Sequence, residues 1–198
     1  MVDEVPTGRP SVESRRQQIL DAACDCVRQS GFHGASMADI AKAAALSVGQ
    51  IYRYFENKEA MIAAIVAQDL AEMREKFAEL ESQPGTLLDA IVQHMPEAMD
   101  KCYDPKRGAL VLEVLAEAAR NPKVAAIVRA ADAQERALAR QLMERNRKPH
   151  WSEAEFEART EMIGLLFDGL IMRAVNNPDT DREALAKVFR ASLECILG

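Results

Sequence analysis

Apolar residues recur at three- and four-residue spacing along most of the chain, the pattern of amphipathic helices. No stretch alternates with period two for long enough to make a strand. Ile19, Ala23, Cys26 and Val27 form a first stripe. Ser11 suits its N-cap, Glu13 its first turn and Gly31 its stop, so the spacing predicts a helix from about Ser11 to Ser30. Ser36-Met37-Ala38-Asp39 has capping-box spacing, with Asp where Glu or Gln is usual. It opens a helix of about two turns that turns Met37, Ile40, Ala41 and Ala44 inward. After a break at Ala45-Leu46, Ser47 caps a third helix, roughly Val48 to Tyr54. Asn57 caps a fourth, which passes Phe77 and Leu80 and stops at Pro84-Gly85.

Longer helices follow. Thr86 to Lys101 is helical, with Pro96 expected to kink it. Tyr103 to Arg107 reads as a loop and Gly108 to Arg120 as an apolar helix. Asn121-Pro122, a cap followed by Pro at the first helical position, opens a helix to about Arg147. Ser152 and Glu155 make another capping box, opening a helix to about Val175 that Asn176-Asn177-Pro178 stops. Thr180 and Glu183 open the last, which ends at Leu197. The expected fold is all-α with about nine helices. A small three-helix domain, residues 13–73, needs neighbours to stabilise it. A larger bundle, residues 74–198, follows. The boundary falls inside the fourth helix, a continuous rod.

Composition suits a globular core: 198 residues, 48% hydrophobic, 25 Lys+Arg against 31 Asp+Glu, net charge -6. No apolar run approaches the ~20 residues of a membrane helix, and the opening residues show no secretory signal. Acidity does not exclude nucleic acid, because it is uneven. Residues 1–58 hold seven basic and seven acidic side chains, so the whole deficit of six lies beyond them. A neutral head can still gather its basic groups on one face. Cys24, Cys26, Cys102 and Cys195 read as reduced thiols, small hydrophobes in the main, with a redox sensor as the alternative. Neither a metal nor a cofactor is expected. His33, His94 and His150 are scattered, and there is no Gly-x-Ser-x-Gly, phosphate-cradling Gly loop or Cys-x-x-Cys. Catalysis by a small-molecule-binding helical enzyme is therefore a minor alternative. A helical adaptor that binds only protein is another, separable by its lack of salt-dependent DNA affinity.

The second and third helices, about residues 36–55, have the dimensions of a helix-turn-helix, whose second helix enters the major groove. Ile51 and Phe55 are four apart and should face inward. Gln50, Arg53 and Tyr54 then point elsewhere, with Tyr52 at least partly so. Gln can pair bidentately with adenine, and Arg with guanine or phosphate. Gly49 lets the backbone approach closely. Lys58, opening the next helix, can hold a phosphate with the free N–H groups there.

Gly31-Phe32-His33-Gly34-Ala35-Ser36-Met37-Ala38-Asp39-Ile40-Ala41 and Ala44-Ala45-Leu46-Ser47-Val48-Gly49-Gln50-Ile51-Tyr52-Arg53-Tyr54-Phe55-Glu56-Asn57-Lys58-Glu59 resemble the N-terminal domain of TetR-family transcriptional regulators. The likeness runs from about Glu13 to Gln68 and includes an Ile-Leu-x-Ala-Ala at Ile19 to Ala23. One departure is Ala45, where the family usually has Gly. A positive φ there costs ~1 kcal/mol, unless the turn is recast. The resemblance implies a cytoplasmic, nucleoid-associated homodimer on palindromic double-stranded operator DNA, usually a repressor, with no membrane partner. A small, largely apolar effector, a cationic one included, would release it. By motif position Ser36, Ser47 and Lys58 would touch phosphates, and Val48, Gly49, Gln50, Tyr52, Arg53 and Tyr54 would line the groove. Arg9, Arg15 and Arg16 would add backbone contacts.

The second half names no ligand. Met95, Met99, Cys102 and Tyr103, with Phe167, are pocket candidates, since methionines suit an adaptable apolar pocket. Glu113 and Glu117, four apart on one face, would meet a cationic effector or pair with Arg120 or a neighbouring cation. Asp168 is a lone acid expected to be satisfied by a neighbouring helix. The last two helices are the dimerisation candidates, with Leu166, Leu170, Arg173, Val188 and Phe189 at the interface. A two-fold axis would set the recognition helices ~34–36 Å apart.

Overall fold

The computed structural model describes residues 11–198, which form nine helices and no strand. None of these helices is long and apolar enough to cross a membrane. The chain divides into two compact units, one ending at Ile65 and the other spanning Val66–Gly198.

In the first unit, α1 (Val12–Gly34) begins where the Ser11 hydroxyl accepts from the Ser14 N–H at 3.0 Å. Its helical dihedrals break at Gly31, with φ 71°, a value that glycine tolerates without steric cost. α2 (Met37–Ala43) packs on α1, and α3 (Val48–Ile51) on α2. The core joins Ile19, Leu20, Ala23 and Val27 of α1 to Phe32, Ile40, Ala41, Ile51 and Phe55, all buried. Met61 and Ile62, from the start of α4 (Lys58–Ser82), are buried as well. Each fully buried side chain of the size of Ile19, Ile40 or Ile51 contributes about 1.5–3 kcal/mol. The third helix is shorter than its sequence predicts. Regular helix stops at Ile51, and Tyr52–Tyr54 continue as tighter turns, with Arg53 N–H on the Gln50 carbonyl (3.2 Å) and Tyr54 N–H on that of Ile51 (2.9 Å).

The second unit holds the rest of α4, then α5 (Leu87–Cys102), α6 (Pro105–Ala118), α7 (Pro122–Glu144), α8 (Glu153–Asn176) and α9 (Arg182–Leu197). α8 packs against α5, α6, α7 and α9. Leu87, Ile91, Met95, Met99, Tyr103, Leu142, Trp151, Phe156, Leu170, Phe189 and Leu193 form one continuous core. α5 runs as one helix past Pro96, which sits on its exposed side.

Three helix starts differ from expectation. α6 begins at Pro105 rather than Gly108, because the Asp104 carboxylate accepts from the Lys106 N–H (2.9 Å) and Pro105 takes the first helical position. α9 is capped by Asp181, not Thr180, whose hydroxyl donates to the Asn177 carbonyl at 2.8 Å. At α8 the Ser152 hydroxyl accepts from the Glu155 N–H, but the Glu155 carboxylate is drawn to Arg159 (2.9 Å), leaving the box half-made.

Candidate nucleic-acid interface

α2 opens with a complete capping box. The Asp39 N–H donates to the Ser36 hydroxyl (3.1 Å), while the Ser36 N–H and hydroxyl both donate to the Asp39 carboxylate (3.1 and 2.5 Å). Those hydrogen bonds from Ser36 hold the Asp39 carboxyl below the ordinary carboxylate range. α2 closes in a Schellman arrangement: Leu46 N–H reaches the Ala41 carbonyl (2.9 Å) and Ala45 N–H that of Lys42 (3.1 Å). Ala45 has φ 52°, the one non-glycine with positive φ among the described residues. The turn thus keeps the geometry that glycine would relax, and alanine bears the strain.

α3 repeats the capping box. Gln50 N–H donates to the Ser47 hydroxyl (3.3 Å), and the Ser47 N–H and hydroxyl both donate to Gln50 Oε1 (2.9 and 3.1 Å). Ile51 and Phe55 anchor the helix at 0% and 3% exposure. Val48, Gly49, Gln50, Tyr52 and Arg53 are exposed and Tyr54 is half-buried. Two side chains of α1 brace the flanks: Gln18 Nε2 donates to the Ala44 carbonyl (2.7 Å) and Arg16 Nη1 to that of Tyr54 (3.1 Å). The Arg16 guanidinium also lies over the Phe55 ring, 4.5 Å from its centroid.

Several residues expected to contact DNA are engaged within the unit. Lys58 does not project from the start of α4. Its Nζ donates to the Phe32 carbonyl at 2.6 Å and lies over the Phe32 ring. The carbonyl takes one of the three N–H donors of the ammonium. Gln50 cannot pair bidentately with adenine while its oxygen is held by Ser47. Ser36 and Ser47 spend their hydroxyl protons on their own capping boxes. Arg16 braces α3, and Arg15 donates to Gln18 Oε1 at 2.8 Å. Arg9 lies outside the described residues.

In the second unit, Met95, Met99 and Tyr103 are buried core residues, with Cys102 and Phe167 packed against them. A cleft of about 250 Å³ lies instead between α4 and α7, lined by Arg74, Phe77, Ala78, Glu81, Leu138, Gln141 and Leu142, none of them an expected pocket residue. Glu117 is 1% exposed and accepts from Asn121 Nδ2 (3.0 Å), with the Arg120 guanidinium 3.7 Å away; Glu113 is half-buried. Spacing along the chain does not reveal a further acidic group. Desolvation, then Asp168 and Asp132, push the Glu135 carboxyl up. Desolvation, then Asp132 and Glu161, do the same to Asp168. The carboxylates that act on Asp168 thus come from α7 and α8. Asp132 and Glu135 stand three apart on one helical face, which is legible, but their meeting with Asp168 depends on how α7 packs on α8.

Of the expected interface residues, Leu170 and Phe189 are turned into the core and Leu166 packs against it, because α8 and α9 bury those faces on α5. Arg173 and Val188 are exposed. On α8 and α9 the exposed large apolar residues are Met162, Leu165, Met172, Val175 and Val188. All four cysteines are free and Cys195 is exposed. Desolvation pushes the Cys26 and Cys102 thiols up, which disfavours the thiolate a redox sensor needs.

Two short helices joined by a Schellman turn, the second anchored by Ile51 and Phe55 and bare on its other side, make a helix-turn-helix. Residues 19–65 match the model of bacterial regulatory proteins of the tetR family, and residues 100–198, half of the chain, that of the BetI-type transcriptional repressor C-terminal domain. The chain belongs to the TetR family of regulators. It is 35% identical over 133 residues to the HTH-type transcriptional regulator UidR of Escherichia coli (strain K12), a match spanning 65% of this chain and 63% of that protein. Among solved structures, Salmonella enterica GusR superposes with a TM-score of 0.79 at 26% identity, covering 95% of this chain and 97% of that one. The fatty acid degradation regulator FadR from Bacillus halodurans shares the fold, with a TM-score of 0.75 at 20% identity over 96% and 97% of the chains.

Proposed function

We propose that this protein is a homodimeric repressor that reads a palindromic operator with α3 and leaves it when a small effector binds the second unit. What carries this is the split of α3. Ile51 and Phe55 fix it from within, while Val48, Gly49, Gln50, Tyr52 and Arg53 all face solvent. Five of the seven residues from Val48 to Tyr54 are exposed, and contact with a groove would use them. Ser36, Ser47, Tyr54 and Lys58 are the proposed flanking contacts, with Lys58 held by the Phe32 carbonyl in the free protein.

The proposed domain limits are 13–73 for DNA binding and 74–198 for effector binding and dimerisation. The proposed activity is binding rather than catalysis, in the cytoplasm at the nucleoid. The effector is small and largely apolar. Candidate contacts are Met95, Met99, Cys102, Tyr103 and Phe167, reached by opening of the core, and the acids Glu113 and Glu117 if the effector is cationic.

The test is selection from a random duplex pool, followed by affinity measurement at low and high salt. A regulator enriches particular sequences and loses affinity steeply as salt rises. Tyr52→Ala and Arg53→Ala should each cost about 1–3 kcal/mol in operator binding, the range for a good base contact, and leave the dimer intact. Salt-independent or unselective binding would refute the proposal.

A further inference from the structure

We infer that α3 reads thymine through its C5-methyl group, with Val48 and Tyr52 as the apolar surface that receives it. This rests on the operator binding proposed above and extends it to the bases recognised.

Val48 is 40% and Tyr52 53% exposed, and they stand four residues apart on one side of the helix. Between them Gly49 adds no side chain, and a Cβ built there would meet nothing within 4 Å. The two side chains and the bare backbone make one open apolar surface. Local folding does not explain it. A β-branched Val at the first position of a four-residue helix is a poor helix former, and the anchoring is done by Ile51 and Phe55.

Gln50 stands two positions from both Val48 and Tyr52, so on another side of the helix, and in this state it does not read adenine. Gln50 Oε1 accepts from both the N–H and the hydroxyl of Ser47, which fills its two lone pairs. Adenine would need that oxygen to accept from its N6 amino group. What Gln50 still offers is the Nε2 amide, a donor only. In the major groove thymine presents a methyl group beside the O4 acceptor. The methyl is what an apolar pair can take, and among the four bases thymine alone carries one there. 5-Methylcytosine carries the same methyl beside an amino donor in place of the O4 acceptor.

The experiment uses the full chain and the duplex enriched from a random pool, resynthesised with deoxyuridine replacing each thymine in turn. That change deletes a methyl group and leaves every hydrogen-bonding atom in place. At the contacted thymine of each half-site, affinity should fall roughly fourfold, the worth of one buried methyl-sized group. Val48→Ala and Tyr52→Ala should bind the thymine and uracil duplexes alike, with unchanged melting because both side chains are exposed. With C·G at the contacted pair, adding the 5-methyl group to that cytosine should recover about the factor that uracil loses. Wild-type affinity with uracil at every thymine would overturn the inference, as would variants that keep the wild-type thymine preference. A pool that enriches no sequence would remove the operator binding beneath it.

Discussion

Arg16 donates from Nη1 to the carbonyl oxygen of Tyr54 at 3.1 Å, bridging 38 positions of sequence, and covers the neighbouring Phe55 ring with the same guanidinium. Two residues along α1, Gln18 holds the Ala44 carbonyl at 2.7 Å. α1 thus grips the chain just before and just after α3. A charged donor on a partly buried carbonyl is worth about 1.5–3 kcal/mol. Arg16→Met should lower the stability of the chain by that order in urea titrations. It should also weaken operator binding without changing its salt dependence. A phosphate ligand would behave otherwise, because its removal flattens the slope of log K against log salt by about 0.9 for each phosphate no longer neutralised. The salt slope of the variant decides between brace and phosphate ligand.

Ala45 occupies the C′ position of the α2 Schellman turn at φ 52°, where an L side chain crowds its own backbone. Its side chain is exposed, so substitution disturbs no packing. Ala45→Gly should stabilise the protein by about 1 kcal/mol, because relief of the strained φ exceeds the added entropy of the unfolded glycine. The midpoint of chemical unfolding should rise with an unchanged slope. A lower midpoint would mean that the turn is not strained.

The strain at Ala45 is legible in the sequence because it needs only the local pattern: a capped two-turn helix, a break and a second cap. The same holds for Ile51 and Phe55, whose four-residue spacing places both inside. The features that depart from expectation fall into two kinds. Some are local. Asp104-Pro105 has the same cap-then-Pro form as Asn121-Pro122, and Ser47-x-x-Gln50 is a capping box as plain as Ser36-x-x-Asp39. Others are set by tertiary contact. Lys58 meets Phe32 across 26 positions of sequence, so its commitment to a carbonyl is invisible to spacing. Leu170 and Leu165 lie on different faces of α8, and only the packing of α5 and α9 decides which is core.

Glu135 shows how such packing sets a pH dependence. Desolvation and the Asp168 and Asp132 carboxylates favour its protonated form, so its folded pKa lies above the unfolded value. A raised carboxyl contributes its full stability below the unfolded pKa, about 4.3, and loses it as pH rises through the folded value. Glu135→Gln should therefore raise the melting temperature at neutral pH and leave it unchanged below the unfolded pKa. Thermal melts of both proteins across the acidic range test this. An equal gain at every pH would point to packing rather than charge.

The outward face of α8 offers a sharper contrast. Met162, Leu165 and Met172 are each about half exposed, and Gly169 falls between the last two at the spacing of a helix–helix seam. A Cβ built on Gly169 meets nothing within 4 Å, so another helix can approach its backbone closely. Val188 of α9 is 65% exposed. Leu170, one position from Gly169, is buried among core residues, and Phe189 beside Val188 stacks edge-on against Phe167 at 5.2 Å between ring centroids. If this face joins two copies, Leu165→Asp and Val188→Asp should shift sedimentation from dimer to monomer with little loss of helix signal. Operator affinity should then depend steeply on protein concentration, because two heads must be brought to one duplex. Leu170→Asp should instead unfold the second unit, since a charge placed there has no partner and no water. Dimers that survive aspartate at both Leu165 and Val188 would move the interface to another surface.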